Sequence, residues 1–178
     1  LESGDRPVKL QELADRTDCV ADTVLGGAVV VIMPTQNPDG RFLDTRRNAY
    51  GFDMNRDWFA RTQPETDGKL ALLRRFPPTL FIHAHEFGYS DFLFPPHADP
   101  EYAETPDTVH DWIFDDYSPA IVAEFEREKL NYHHGAPYDF FATIFGDTVP
   151  GVGFHGAGMT FEKDNRDRIV DRTFQQYL

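Results

Sequence analysis

The chain is poor in cysteine, in basic residues and in long apolar runs. It has one cysteine, Cys19, among 178 residues. A lone thiol excludes an internal disulfide framework and any cysteine-built metal site. Lys and Arg number 17 against 30 Asp and Glu, a formal net charge of −13. That deficit argues against nucleic acid and anionic membrane surfaces as partners. No apolar run approaches membrane-spanning length, which excludes a helix inserted across a bilayer. The chain does not open on Met and ends inside a helix-like run. It is read as a piece of a longer protein, so its lack of a signal peptide says nothing about location.

What remains is globular in composition: 40% hydrophobic, 14% aromatic, with thirteen Gly and thirteen Pro. That is enough for one domain with a core, over 1–178, and for many loops. PVKLQELADR at 7–16 reads as a short helix with Pro near its start. GAVVVIM at 27–33 is a β-branched run, the pattern of a strand buried on both faces. Turn signals follow at Pro34, Asn37-Pro38 and Asp39-Gly40. Residues 41–63 read as a long loop, in which the aromatics argue against disorder. Pro64–Arg75 has Pro and acids early and Arg late, as the helix dipole favours. Thr79–His85 reads as a second buried strand, 95–111 as a Pro- and Asp-rich loop and Tyr117–Leu130 as an amphipathic helix. Residues 131–155 read as a second long loop, Gly158–Glu162 as a third strand and Asp164–Leu178 as a final helix. Helices alternating with apolar strands predict an α/β layered domain.

Three segments carry chemistry. The window NAYGFDMNRDW, with TRR before it, puts Arg46, Asp53, Asn55 and Arg56 close together. A guanidinium fork beside an amide is suited to holding a carboxylate, although arginines in loops often make only surface ion pairs. His83 and His85, two apart on a strand, point to one face near its carboxyl end, where ligands bind in α/β sheets. That pair alone also suits other metal sites. GMTFE ends an apolar run on Glu162, which reads either as a functional carboxylate or as the strand's exit into solvent. The aromatic loop NYHHGAPYDFFATIFGDTVPG is a lid, a pocket wall or a packed Ω-loop.

Taken in order, PTQNPDGR, TRRNAYGFDMNRDW, FIHAHEFG with FPPHADP, and GMTFE resemble the zinc carboxypeptidases of the carboxypeptidase A type, the M14 metallopeptidases. The resemblance spans nearly the whole chain. It implies a three-layer α/β/α fold around a mixed, mostly parallel sheet, and one catalytic zinc held by two His and one Glu. Carried over by motif, His85 is the second zinc histidine, while His83 stands where relatives often have Asp and is not a ligand. Arg56 resembles the residue that binds the terminal carboxylate, and Asn55 its partner in that contact. Arg46, nine residues before Asn55, has the spacing of the arginine that polarises the scissile carbonyl, and Arg47 is a weaker candidate. Asp53 resembles the carboxylate that orients the first zinc histidine, and Glu162 resembles the general base and acid. The family's first motif is His-x-x-Glu. Glu2 is read as its Glu, with the His two residues before Leu1; the alternative is an ordinary acidic residue. The family's mobile tyrosine has no firm counterpart, with Phe145 and Tyr138 as the positions to consider.

The resemblance thus implies a metallocarboxypeptidase acting on peptide or protein C-termini. It also suggests an extracytoplasmic or secreted setting, which no residue shows. Two other readings stay open: a zinc deacylase of N-acyl amino acids of the aspartoacylase type, and an inactive peptide-binding domain of the same fold.

Overall fold

The computed structural model describes residues 15–88, 91–94, 106–133, 153–168 and 170–171. The elements are α1 (Cys19–Gly27), α2 (Pro38–Leu43), α3 (Pro64–Arg75), β1 (Leu80–Phe87), β2 (Phe92–Leu93), α4 (Asp107–Asp111), a π-helical stretch (Trp112–Tyr117), α5 (Ser118–Glu128), β3 (Tyr132–His133) and β4 (Ala157–Asp164). The four strands form one sheet in the order β1-β4-β2-β3. β1 pairs with β4 and β2 with β3 in parallel, while β2 meets β4 antiparallel. The sheet is mixed and mostly parallel, as expected.

Its two faces follow from the register. Leu80 lies opposite Ala157, Ile82 opposite Met159 and Ala84 opposite Phe161. Ala157, Met159 and Phe161 pack with Phe92, Phe94, Val109, Ile113 and Phe125, so the run from α4 to α5 covers this face of β4. Side chains alternate along a strand, so Phe81, His83 and His85 share the other face with Gly158, Thr160 and Glu162. There Phe81 packs against Trp58, Leu70 and Leu73, the last two from α3. Helices therefore lie on both faces, giving the three layers. Each fully buried side chain of this size stabilises the fold by roughly 1.5–3 kcal/mol.

α3 spans the predicted residues, with Pro64 first, Glu65 and Asp67 in its first turn and Arg74 and Arg75 in its last. Gly156 admits no side chain, because a Cβ there would sit 2.1 Å from the carbonyl oxygen of Pro78. That close approach lets Ala157 N donate to Thr79 O at 2.8 Å where β1 and β4 begin.

Several expectations need correction. The run at 27–33 is not a buried strand. α1 takes Gly27, residues 28–33 have no regular structure, and Val29 is 76% exposed. β-branched residues suit a strand only where a ladder partner exists, and none pairs with this run among the described residues. Asn37-Pro38-Asp39-Gly40 starts a helix rather than a turn. Asn37 Oδ1 caps Gly40 N at 2.9 Å, and Pro38 occupies the first turn of α2,. β1 is buried on one face only, with Ile82 56% exposed on the other. A helix starts at Asp107 inside the stretch read as loop, and it continues through the π-helical stretch into α5. Asp164 is the last residue of β4, and among the described residues helix resumes only at Val170. The expected helix at 7–16 lies almost wholly outside the described residues, as do Glu2, Tyr138 and Phe145.

Candidate metal and carboxylate site

The arginine window is built by two buried polar side chains. Asn48 Oδ1 accepts from Tyr50 N and Phe52 N at 3.1 and 2.9 Å, and its amide donates to Gln63 Oε1 at 2.9 Å. The turn it folds needs Gly51, whose φ of +82° is in the region that favours glycine,. Asp57 accepts from Thr62 N, Thr62 Oγ1 and Gln63 N at 2.9, 2.5 and 3.0 Å, tying the window's end to the start of α3. Burial pushes the Asp57 carboxyl up, but these hydrogen bonds outweigh it and hold the group below its usual value,. Of the aromatics in 41–63, Phe42, Tyr50 and Phe59 are largely exposed, and only Trp58 is buried.

Within this frame Arg46 Nε meets Asp53 Oδ2 at 2.7 Å. Asp53 Oδ1 accepts from Asn55 N at 2.9 Å. Burial tends to raise the Asp53 carboxyl, yet those two hydrogen bonds and the charges of Arg46 and Arg56 bring it below the usual value. The carboxylate is thus ionised and engaged with Arg46. Arg56 is exposed, and its Nη1 donates to Asn55 O at 2.9 Å. An open cleft of about 500 Å³ lies against Arg56 and Arg47, with Phe52, Asp53, Asp57, Ala60 and Thr62 in its wall.

Asn55 joins the window to the sheet. Trp58 Nε1 donates to Asn55 Oδ1 at 3.1 Å. Indole nitrogen only donates, so this bond fixes which end of the amide is oxygen. Asn55 Nδ2 therefore donates to His85 Nε2, 3.1 Å away. The same Nε2 lies 3.2 Å from His83 Nδ1. With Nε2 accepting from Asn55, His83 Nδ1 is the donor of that second bond. His83, an unassigned neighbour in the sequence, is buried and supports the ring of His85.

Glu162 is the β4 residue paired with His85 in the parallel register. The strand does not leave for solvent there, because it continues to Asp164, which is buried. Glu162 is half-buried and its Oε2 is inaccessible to water. Four of the singled-out residues thus meet around one strand end: Asn55, His83, His85 and, by register, Glu162. Arg46, Asp53 and Arg56 stand in the adjoining loop.

Burial, and then the charges of Arg46 and Arg56, lower the His85 pKa to about 4. Burial and the neighbouring His85 lower that of His83 well below its usual value. Both rings are neutral at pH 7, the protonation state in which imidazole binds a metal. Among the described residues no three His, Cys, Asp or Glu side chains are grouped to hold an ion. As a zinc ligand His85 would have to give up its bonds to Asn55 and His83 at Nε2, or use Nδ1 in the other tautomer,.

These shifts set an acid response. The unfolded chain takes up protons near pH 6.5, whereas folded His85 does so only near 4. Stability is therefore full above pH 6.5 and falls as the pH drops from 6.5 towards 4. Urea unfolding of the metal-free protein at pH 7, 5.5 and 4.5 should show falling midpoints. His85→Gln should flatten the decline; an unchanged slope in that variant contradicts the assignment.

The sequence gives little sign of Asn48, Asp57 or Trp58 as builders of this site, whereas His83 is marked by sharing a strand face with His85. Among the first three, an Asn before a glycine turn is the one recognisable signal, for Asn48.

No family model matches the sequence, and no curated protein matches it. Solved structures do. A carboxypeptidase A from Shewanella denitrificans OS-217 superposes with TM-score 0.69 at 22% identity, over 86% of this chain and 42% of its own. A metallo-carboxypeptidase from Pseudomonas aeruginosa, in complex with (2-guanidinoethylmercapto)succinic acid, gives 0.55 at 18% identity, over 82% and 42%. A metallo-carboxypeptidase from Burkholderia cenocepacia gives 0.51 at 20% identity, over 74% and 34%. The chain has the metallo-carboxypeptidase fold and spans 34% to 42% of the length of these structures.

Proposed function

We propose that this chain carries the catalytic centre of a zinc metallocarboxypeptidase, which removes the last residue from peptides with a free C-terminus. The observation that supports it best is the register of β1 and β4. It sets the one candidate metal histidine among the described residues beside the one candidate general base, with the arginine window joined to that histidine through Asn55.

In this reading His85 would hold the zinc, with Glu2 proposed as a second protein ligand. A zinc ion there supplies Lewis acidity to the attacking water and to the scissile carbonyl. Glu162 takes the proton from the water and gives it to the leaving amine. Arg46, kept in place by Asp53, stabilises the oxyanion. Arg56 pairs with the terminal carboxylate and so restricts cleavage to chain ends. Asn55, whose Nδ2 carries a second N–H besides the one given to His85, assists this contact,.

Metal analysis of the protein with its complete ligand set should find about one zinc per chain, as catalytic sites of this type hold one ion. A protein with no zinc, and activity indifferent to a chelator, contradicts the reading. Acyl-aspartate hydrolysed in preference to a blocked dipeptide points instead to the deacylase, and turnover of neither points to a binding domain.

A further inference from the structure

Lys69 is the one buried ammonium among the described residues. It sits on α3 and is 2% exposed. A lysine is almost never buried unless something holds it there. No carboxylate lies within ion-pair distance of it among the described residues; Asp57, Glu65 and Asp53 attract it from farther away. Its Nζ instead donates to Met54 O at 3.2 Å and stands 3.9 Å from the centre of the Trp58 ring. Those contacts bracket the arginine turn. Met54 immediately precedes Asn55, and Trp58 follows Arg56 by two residues. Trp58 in turn holds the Asn55 amide, which holds His85.

Resting on the function proposed above, we propose that Lys69 is a positioning residue for carboxylate recognition. It clasps the Met54–Trp58 turn from beneath and thereby fixes where Arg56 and Asn55 stand relative to His85. A cation suits the task where an apolar residue would not. It can sit over the indole face and donate to a backbone carbonyl at once. The lowering of its pKa to about 8 by burial fits a group held in place at a solvation cost,. A purely structural lysine would share the burial, but it would affect stability alone.

The test uses the zinc-loaded protein and a blocked dipeptide, as free acid and as C-terminal amide. Lys69→Met removes charge and donors while keeping an unbranched chain of similar length. KM for the free acid should rise about tenfold or more, the scale of a lost charged hydrogen bond. The rate constant kcat should change less than about threefold, because a contact remote from the reacting bond acts on binding. The preference for acid over amide should narrow in proportion. Lys69→Arg should recover most of the loss. Ile113→Ala, in the core on the other face, should lower the melting temperature and leave KM and the preference unchanged. If Lys69→Met does not fold, Lys69→Gln, which keeps a donor without the charge, serves in its place with the same direction. A lower melting temperature with unchanged KM and preference in the Lys69 variants overturns this proposal. A wild-type protein that does not distinguish acid from amide overturns the functional reading itself, which separates the two failures.

Discussion

Replacing Glu162 with Gln is expected to leave the fold and bound zinc intact and to lower kcat by roughly 10²–10⁴-fold, the usual worth of a general base. Gln is nearly isosteric with Glu and still forms hydrogen bonds, but it cannot accept a proton from the attacking water. The loss should fall on kcat and kcat/KM alike, since proton transfer matters in the transition state. The position of Glu162 supports this outcome. It is half-buried in a strand that continues beyond it, one strand from His85. A carboxylate that only marked a strand's exit would tolerate Gln with little change. A variant keeping more than about a tenth of wild-type kcat falls short of the general-base effect and contradicts the role.

Arg56→Ala is expected to damage recognition of a free C-terminus, by about 2–5 kcal/mol in kcat/KM if the charge pair is desolvated on binding. Its guanidinium is exposed beside the cleft, with one arm on its own loop's carbonyl. Removing it opens no core cavity, so the melting temperature should change little. The amide of the same substrate should lose much less than the acid. Equal losses on acid and amide, or a loss that tracks unfolding, would remove Arg56 from the carboxylate contact.

The parts of the fold legible in sequence were those decided locally. α3 shows in its charge gradient and leading proline, and β1 and β4 show in their apolar runs. The candidate site residues stand out because Asn55 and Arg56 lie in one short window and His85 and Glu162 each follow an apolar run. What escaped depended on partners. Residues 28–33 have strand composition, yet a strand forms only against another strand, and composition does not say which strand is available. The Pro38 segment shows both turn and helix-start chemistry, and Asn37 decides it by reaching Gly40 N. The helix from Asp107 is hidden by a proline- and acid-rich composition that usually reads as loop. Lys69 was illegible for a further reason: its meaning lies in its contacts with Met54 and Trp58, and neither follows from spacing along the chain.

The window holds its shape through polar bonds beside the buried side chains of Met54 and Trp58. Asn48 and Asp57 each satisfy several backbone donors, and a buried polar group fully engaged in this way rigidifies a loop. Phe42, Tyr50, Phe52 and Phe59 remain on the surface, while Trp58 is buried.

The central claim is zinc-dependent cleavage at a free C-terminus. The most direct measurement follows release of the terminal amino acid from a blocked dipeptide and from its C-terminal amide, with zinc present and again after chelation. The account predicts release from the free acid, little from the amide, and loss of release on chelation that zinc restores. Equal release from acid and amide, or release that survives chelation unchanged, would contradict it.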